Sequence, residues 1–333
     1  MTIGYSQDIP NTFRIPCKAD VLVRYESPAE LCEALGQFRG RRLLFVGEGS
    51  NLLPCCERFE GVVLCSEIRS VEEISNDGRA VLLKLGSGCN WDEFVAWSVG
   101  RGYSGAENLS LIPGQAGSAA VQNIGAYGVE ISSLVESVET ICVRDGSTRI
   151  FSREECEYGY RRSVFKTSLA GEYIVTFVNL RLRLGDAVNI EYGRLSEAVR
   201  ELSPAGVREA VIATRRAKLP AVEEVGSAGS FFMNPVVESY VLERLKQDWP
   251  DIPSYPLPSE DDKVKLSAAW LIDKAGWKGW RRDDAGVWPT QALVLVNYGS
   301  ATGEQIRSLA ADIVESVKQR FGVELHPEAQ YII

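Results

Sequence analysis

The stretch Ile112-Pro-Gly-Gln-Ala-Gly-Ser-Ala-Ala-Val-Gln-Asn-Ile-Gly-Ala-Tyr-Gly128 packs four glycines, four alanines and one serine into seventeen residues. So little side-chain bulk leaves backbone open to close approach by a large flat ligand, whose polar edge Gln122 and Asn123 can read. Two shorter glycine turns precede it. Gly47-Glu-Gly-Ser-Asn51 follows the apolar run that starts at Arg42, and Gly86-Ser-Gly-Cys-Asn90 follows Val81-Leu-Leu-Lys-Leu85. Both runs read as buried strands that end in turns. Leu52 and Trp91 stand where G-x-G-x-x-G needs its third glycine, and no Gly-Lys-Ser/Thr occurs. A Rossmann fingerprint and a P-loop are therefore both unsupported. What remains is bare amide donors in concave turns, a geometry that suits an anion. Taken singly, each short loop reads more readily as a plain tight turn.

Around these loops the chain is of mixed type. Strands are expected at Gly61–Cys65, Val135–Val143, Thr148–Phe151 and Tyr173–Leu184, and a helix from Asn90, its cap, to Gly100. This is α+β rather than regular βαβ alternation. Lys218-Leu-Pro220 marks the best boundary. Beyond it, helical signals cover 236–246 and 264–275, and Ala292–Asn297 reads as a buried strand. A long helix opens with Thr302 and Gln305 spaced as a capping box, carries the stripe Ile306, Leu309, Ile313, Val317 and Phe321, and stops at Gly322.

The bulk numbers narrow the function classes. With 333 residues, two or three domains are expected. A net charge of −9 argues against a nucleic-acid or anionic-membrane surface. The opening MTIGYSQDIPNTF has no basic region followed by an apolar core, and runs such as Ala292–Val296 are too short to span a bilayer. A cytoplasmic protein is expected. The eight cysteines include no C-x-x-C pair and read as reduced packing residues without a metal. His326 is the single histidine, so any Ser-His-Asp or Cys-His scheme would have to use it. Ser230 does not lie in G-x-S-x-G, which makes a serine hydrolase a poor reading.

Seven segments in order then match one family. They are Asn11-Thr-Phe13, Gly47–Asn51, Ile112–Gly128, Tyr160-Arg-Arg-Ser-Val-Phe-Lys166, Lys218-Leu-Pro220, Gly229-Ser-Phe-Phe-Met-Asn-Pro235 and Pro327-Glu328. Together they resemble UDP-N-acetylenolpyruvoylglucosamine reductase across essentially the whole chain. The resemblance implies an α+β fold of the vanillyl-alcohol-oxidase flavin type, in two subdomains of about 1–68 and 69–217. A C-terminal α+β substrate-binding domain at 218–325 would follow, with 326–333 returning to the active site. It implies FAD, held non-covalently because His326 lies outside every flavin motif, with NADPH as reductant and UDP-N-acetylglucosamine enolpyruvate as substrate. A monomer without nucleic-acid or membrane partners is expected. Glu191-Tyr-Gly193 sits where the longer, type I members carry an extra loop, with Tyr192 closing over the substrate.

The same resemblance assigns roles. Gly47, Glu48, Gly49, Ser50, Asn51, Ile112, Pro113, Gly114, Gly117, Ser118, Gln122, Asn123, Gly125, Ala126 and Tyr127 would hold the flavin. Tyr160, Tyr192, Arg215, Lys218, Asn234, Tyr255, Lys278 and Gln291 would hold the sugar nucleotide. Arg161 would grip the carboxylate with its fork, Ser230 would protonate the carbanion, and Glu328 would hydrogen-bond the developing enolate from a protonated, desolvated carboxyl. Without the family, Arg161 reads as a solvated loop residue, Ser230 as a turn residue and Glu328 as a surface glutamate. Three positions depart from the usual pattern: Met233 where lysine is common, His326 for glutamate and Gln330 for arginine. Trp277, Trp280 and Trp288 read as packing. Two alternatives stay open, another flavin oxidoreductase of the superfamily and a flavin-binding module without turnover.

Overall fold

The computed structural model describes residues 1–333 except 186, 194, 222 and 258–261. Two compact units emerge. The first comprises Met1–Pro10, Lys18–Gly49 and Arg58–Ala217, and the second Asn11–Cys17, Ser50–Glu57 and Lys218–Ile333.

In the first unit, a four-stranded sheet runs in the order Thr2–Asp8, Lys18–Tyr25, Arg58–Ser66, Leu43–Phe45. Its last three strands are parallel to one another. The helix Pro28–Gln37, capped by Ser27 Oγ, covers it through Leu31, Ala34 and Leu35. The second sheet is antiparallel, in the order Thr148–Ser152, Val135–Cys142, Tyr173–Leu184, Ala80–Gly86, Val71–Asn76. Alternation along Ala80–Gly86 buries Val81, Leu83 and Leu85 beneath Trp91, Phe94 and Leu109. The expected helix forms at Trp91–Gly100, with Asn90 Oδ1 accepting from the Glu93 amide.

The second unit holds a four-stranded sheet, Gly226–Ser230, Val294–Asn297, Ala285–Val287 and Arg281–Arg282, beside a three-stranded one, Val236–Glu238, Lys263–Leu266 and Ser254–Pro256. The long helix is Gly303–Phe321, with the Thr302/Gln305 capping box and a left-handed Gly322 as read from the sequence. Its stripe packs into one core with Phe13, Phe231, Phe232 and Leu271. Two helical expectations need correction. Val236–Glu238 and Lys263–Leu266 pair with each other as strands, and the helices begin only at Ser239 and Ala268. β-branched Val236, Val237 and Val264 favour the pleated surface, and the helical pattern that holds from Ser239 and from Ala268 onward does not reach them.

Gly303 opens the long helix hard against the loop of residues 50–57. A β-carbon there would lie 1.7 Å from the Pro54 carbonyl oxygen, which is backbone and cannot yield. Gly303→Ala is therefore expected to destabilise this unit by about 1–3 kcal/mol or more, read as a lower denaturation midpoint. An unchanged midpoint would contradict this packing.

Candidate active site

The glycine loops of the first unit are tied together by side chains that also had candidate ligand roles. Glu48 accepts from Asn90 Nδ2 at 2.7 Å through Oε1 and from the Gly114 amide at 3.1 Å through Oε2. One carboxylate thus joins all three loops, 47–49, 86–90 and 112–116. From the far side, the Trp91 amide donates to the Gly114 carbonyl and its indole N–H donates to Leu109. Asp92 accepts from the Leu111 amide and from Arg208 in a bidentate pair at 2.6 and 3.0 Å. Burial alone would raise the Asp92 pKa, but the Arg208 fork, the Leu111 amide and the nearby Arg215 charge together hold it low. Leu111 adopts a left-handed φ of 58°, so this grip fixes a strained entry into Ile112-Pro113-Gly114.

The glycine-rich stretch then turns through the short helix Ala116–Gln122, where Gln115 and Ser118 form a reciprocal cap. Gly117 must lack a side chain, since a β-carbon would meet Ser87 Cβ at 2.7 Å. Asn123 ends the helix with φ 45° and is fully buried. Its amide donates to Glu130 and to the Gly159 carbonyl, and its oxygen accepts from the Ser132 amide. Asn123 is therefore a hub that joins Tyr160-Arg161 to the loop. Arg161 reinforces the junction: its Nη2 donates to the Gly125 carbonyl at 2.8 Å, and the guanidinium carbon lies 5.5 Å from the Tyr160 ring centroid. Arg161 itself has φ 53°, a conformation that costs of order 1–3 kcal/mol and persists only where its surroundings impose it.

A second cluster gathers around Tyr127. Its ring meets Tyr192 edge-on at 6.3 Å, and its carbonyl accepts from Asn108 Nδ2, which also donates to the Asn189 carbonyl. The loop bearing Tyr192 is thus docked on the tip of the glycine-rich stretch, although Tyr192 remains 45% exposed. Arg215, on the helix Pro204–Lys218, feels both Tyr127 and Asp92, and burial pushes its pKa down. Its Nε is buried and has no hydrogen-bond partner among the described residues. A buried guanidinium with an open donor suits a phosphate or carboxylate.

In the second unit, Ser230 ends the strand Gly226–Ser230 at an irregularity in the pairing and is exposed. The neighbouring Gly229 has φ 66°. Phe231 and Phe232 are buried, and Phe231 meets Phe13 edge-on at 6.2 Å, which explains why the Asn11-Thr-Phe13 motif belongs with this segment. Gly226 passes so close that a β-carbon would sit 2.3 Å from the Phe13 carbonyl oxygen. The Glu328 amide donates to the Phe231 carbonyl at 2.7 Å, and the Met233 amide donates to the His326 carbonyl at 3.0 Å. This antiparallel bridge brings the Ser230 and Glu328 segments together. It uses backbone groups alone, so unusual side chains at 233 and 326 leave it undisturbed.

The remaining candidates spread over this unit. The Lys218 carbonyl accepts from Thr290, adjacent to Gln291. Asn234 Oδ1 caps the Ala268–Lys274 helix through the Ala268 amide, and Tyr255 pairs with Lys265 across its strand. Lys278 is exposed and pairs with Asp273 at 3.1 Å. Asp92, Asn108 and Arg208 escaped sequence reasoning: 116 residues separate the ion pair, and no local pattern links its ends. Among the described residues no disulfide, no cluster able to hold a metal and no helix long and apolar enough to cross a membrane occurs.

The residues of the first unit fit a flavin dinucleotide by their donor chemistry. Bare backbone lines 47–49 and 112–117, and the Glu48 charge is engaged within the scaffold. Comparisons with known proteins agree. Residues 19–152 match the model of an FAD binding domain, and residues 220–332 match that of the UDP-N-acetylenolpyruvoylglucosamine reductase C-terminal domain. UDP-N-acetylenolpyruvoylglucosamine reductase of Porphyromonas gingivalis is 45% identical, covering 98% of this chain and 99% of the relative. That of Pseudomonas aeruginosa is 44% identical over 96% and 95%. The crystal structure of the reductase from Thermus caldophilus, 24% identical, covers 97% of this chain and 96% of its own with a TM-score of 0.68, which carries the fold. A full-length likeness of this strength has one consequence: the chain belongs to the UDP-N-acetylenolpyruvoylglucosamine reductase family.

Proposed function

We propose that the protein reduces UDP-N-acetylglucosamine enolpyruvate to UDP-N-acetylmuramate, a peptidoglycan precursor, with NADPH as reductant. The single observation that carries this reading is the joining of the Ser230 and Glu328 segments by the Glu328–Phe231 hydrogen bond, in a chain that also holds the flavin-type loops. The glycine loops 47–51 and 112–127 would hold FAD, whose chemistry would be the passage of hydride from NADPH to the enol ether. The substrate's terminal carbon gains hydride, and charge develops on the neighbouring carbon and its carboxylate. Arg161 stabilises that carboxylate through its guanidinium, which stays cationic throughout. Glu328 hydrogen-bonds the enolate, and Ser230 delivers the proton to the carbon, a step for which its exposed hydroxyl at a strand end is suited. Arg215, Lys218 and Gln291 bind the diphosphate and its neighbours, while Tyr192, on a docked but exposed loop, covers the substrate.

In this reading, Met1–Ala217 without its two excursions, 11–17 and 50–57, is the flavin unit, and Lys218–Ile333 forms most of the substrate unit. Purified protein should be yellow, and NADPH should bleach it under anaerobic conditions. A colourless protein that cannot be reconstituted with FAD would sink the proposal.

A further inference from the structure

The segment carrying Glu328 is held from two sides. On one side lies the Phe231 carbonyl, already described. On the other lies the loop of residues 50–57, whose strand Leu52–Pro54 pairs in parallel with Gln330–Ile332. At the head of that ladder Asn51 makes two bonds that straddle Ala329. Its side-chain Nδ2 donates to the Glu328 carbonyl at 3.0 Å, and its own carbonyl accepts from the Gln330 amide at 2.9 Å. The Asn51 amide thereby extends the ladder one step beyond its last backbone pairing and reaches the residue that matters.

We infer that Asn51 is a positioning residue for Glu328, working through the Glu328 backbone to aim its carboxyl. The inference rests on the enolate-binding role given to Glu328 above. Glutamate has three side-chain torsions, so its carboxyl is placed only as well as its peptide is anchored. Here the peptide N–H is fixed by Phe231, the neighbour of Ser230, and the C=O by Asn51. Donor and partner for the substrate are thus held in mutual register through the two peptide groups that flank the Glu328 Cα. Asparagine is the fitting residue: serine is too short to repeat this reach, and aspartate would turn an acceptor on a carbonyl oxygen. Asn51 belongs to the Gly47–Asn51 motif that the resemblance assigns to the flavin. Its placement ties the last residue of that motif to the enolate-binding residue as well. In the division into units the motif itself is split, Gly49 ending one segment of the first and Ser50 opening one of the second.

The test uses full-length, flavin-loaded protein and compares wild type, Asn51→Ala, Glu328→Ala and the double variant in both half-reactions by stopped flow. Asn51→Ala is expected to slow flavin re-oxidation by substrate at least about tenfold more than flavin reduction by NADPH, because a displaced carboxyl harms only the former. The double variant should be no slower than Glu328→Ala to within about twofold, since both changes remove one function. Amide exchange across residues 326–332 should also quicken in Asn51→Ala without flavin present. Equal slowing of both half-reactions, multiplication of the two effects, or unchanged exchange would overturn the inference. Normal re-oxidation by Glu328→Ala would overturn the role of Glu328 itself, a separate failure. Should the alanine variant not fold, Asn51→Asp keeps the shape, lacks the donor and is expected to give the same pattern.

Discussion

Ser230→Ala is expected to leave bleaching of the flavin by NADPH in place and to slow its re-oxidation by the enolpyruvyl sugar nucleotide by about 100- to 1,000-fold, the usual cost of one oriented donor. The asymmetry follows from the chemistry. Reduction by NADPH requires no proton on a substrate carbon, whereas re-oxidation generates a carbanion that must be protonated. The methyl group left by the substitution cannot do this, and water has to be recruited without orientation. Local structure should survive. Ser230 is exposed, and the buried phenylalanines beside it hold the strand end against Phe13 and Tyr331. If both half-reactions ran at wild-type rates, Ser230 would be a turn residue and the proton donor would lie elsewhere.

The second large effect concerns Arg161. Arg161→Lys keeps a positive charge but loses the planar fork, and the account predicts a fall of about 100-fold in the re-oxidation rate. Two observations support so large a loss from a nominally mild change. The guanidinium donates to the Gly125 carbonyl at 2.8 Å, so it orders the glycine-rich loop as well as offering charge. Its backbone is also held at φ 53°, a strained conformation that persists only where the surrounding structure imposes it. Lysine has three donors on a flexible stem and cannot meet a loop carbonyl and a carboxylate in one plane. Stopped-flow mixing of reduced Arg161→Lys with substrate reads this directly. A rate within twofold of wild type would remove Arg161 from the reacting centre.

Much of this could be read from residues alone, and the reasons differ by element. The Gly303–Phe321 helix was legible because cap, stripe and stop all lie within one local pattern. The strand Tyr173–Leu184 was legible because β-branched and aromatic residues fill it, and Ala80–Gly86 because a short apolar run ends in a glycine turn. Val236–Glu238 was misread, since three residues are too few to show a period of two beside a helix. The site was legible only as an ordered set of motifs. Spacing alone does not pair Phe231 with Glu328, or Asp92 with Arg208, because such contacts are fixed by the tertiary path of the chain. Glu48 and Asn123 show the converse. Both have residue types suited to a ligand, yet the partners of their side chains here are scaffold groups.

One measurement tests the central claim most directly. Protein reduced with one equivalent of NADPH is mixed anaerobically with UDP-N-acetylglucosamine enolpyruvate while the flavin absorbance and the product mass are followed. The yellow colour should return, and the sugar nucleotide should gain one hydride and one proton. Flavin that stays bleached in the presence of this substrate, with the nucleotide recovered unchanged, would contradict it.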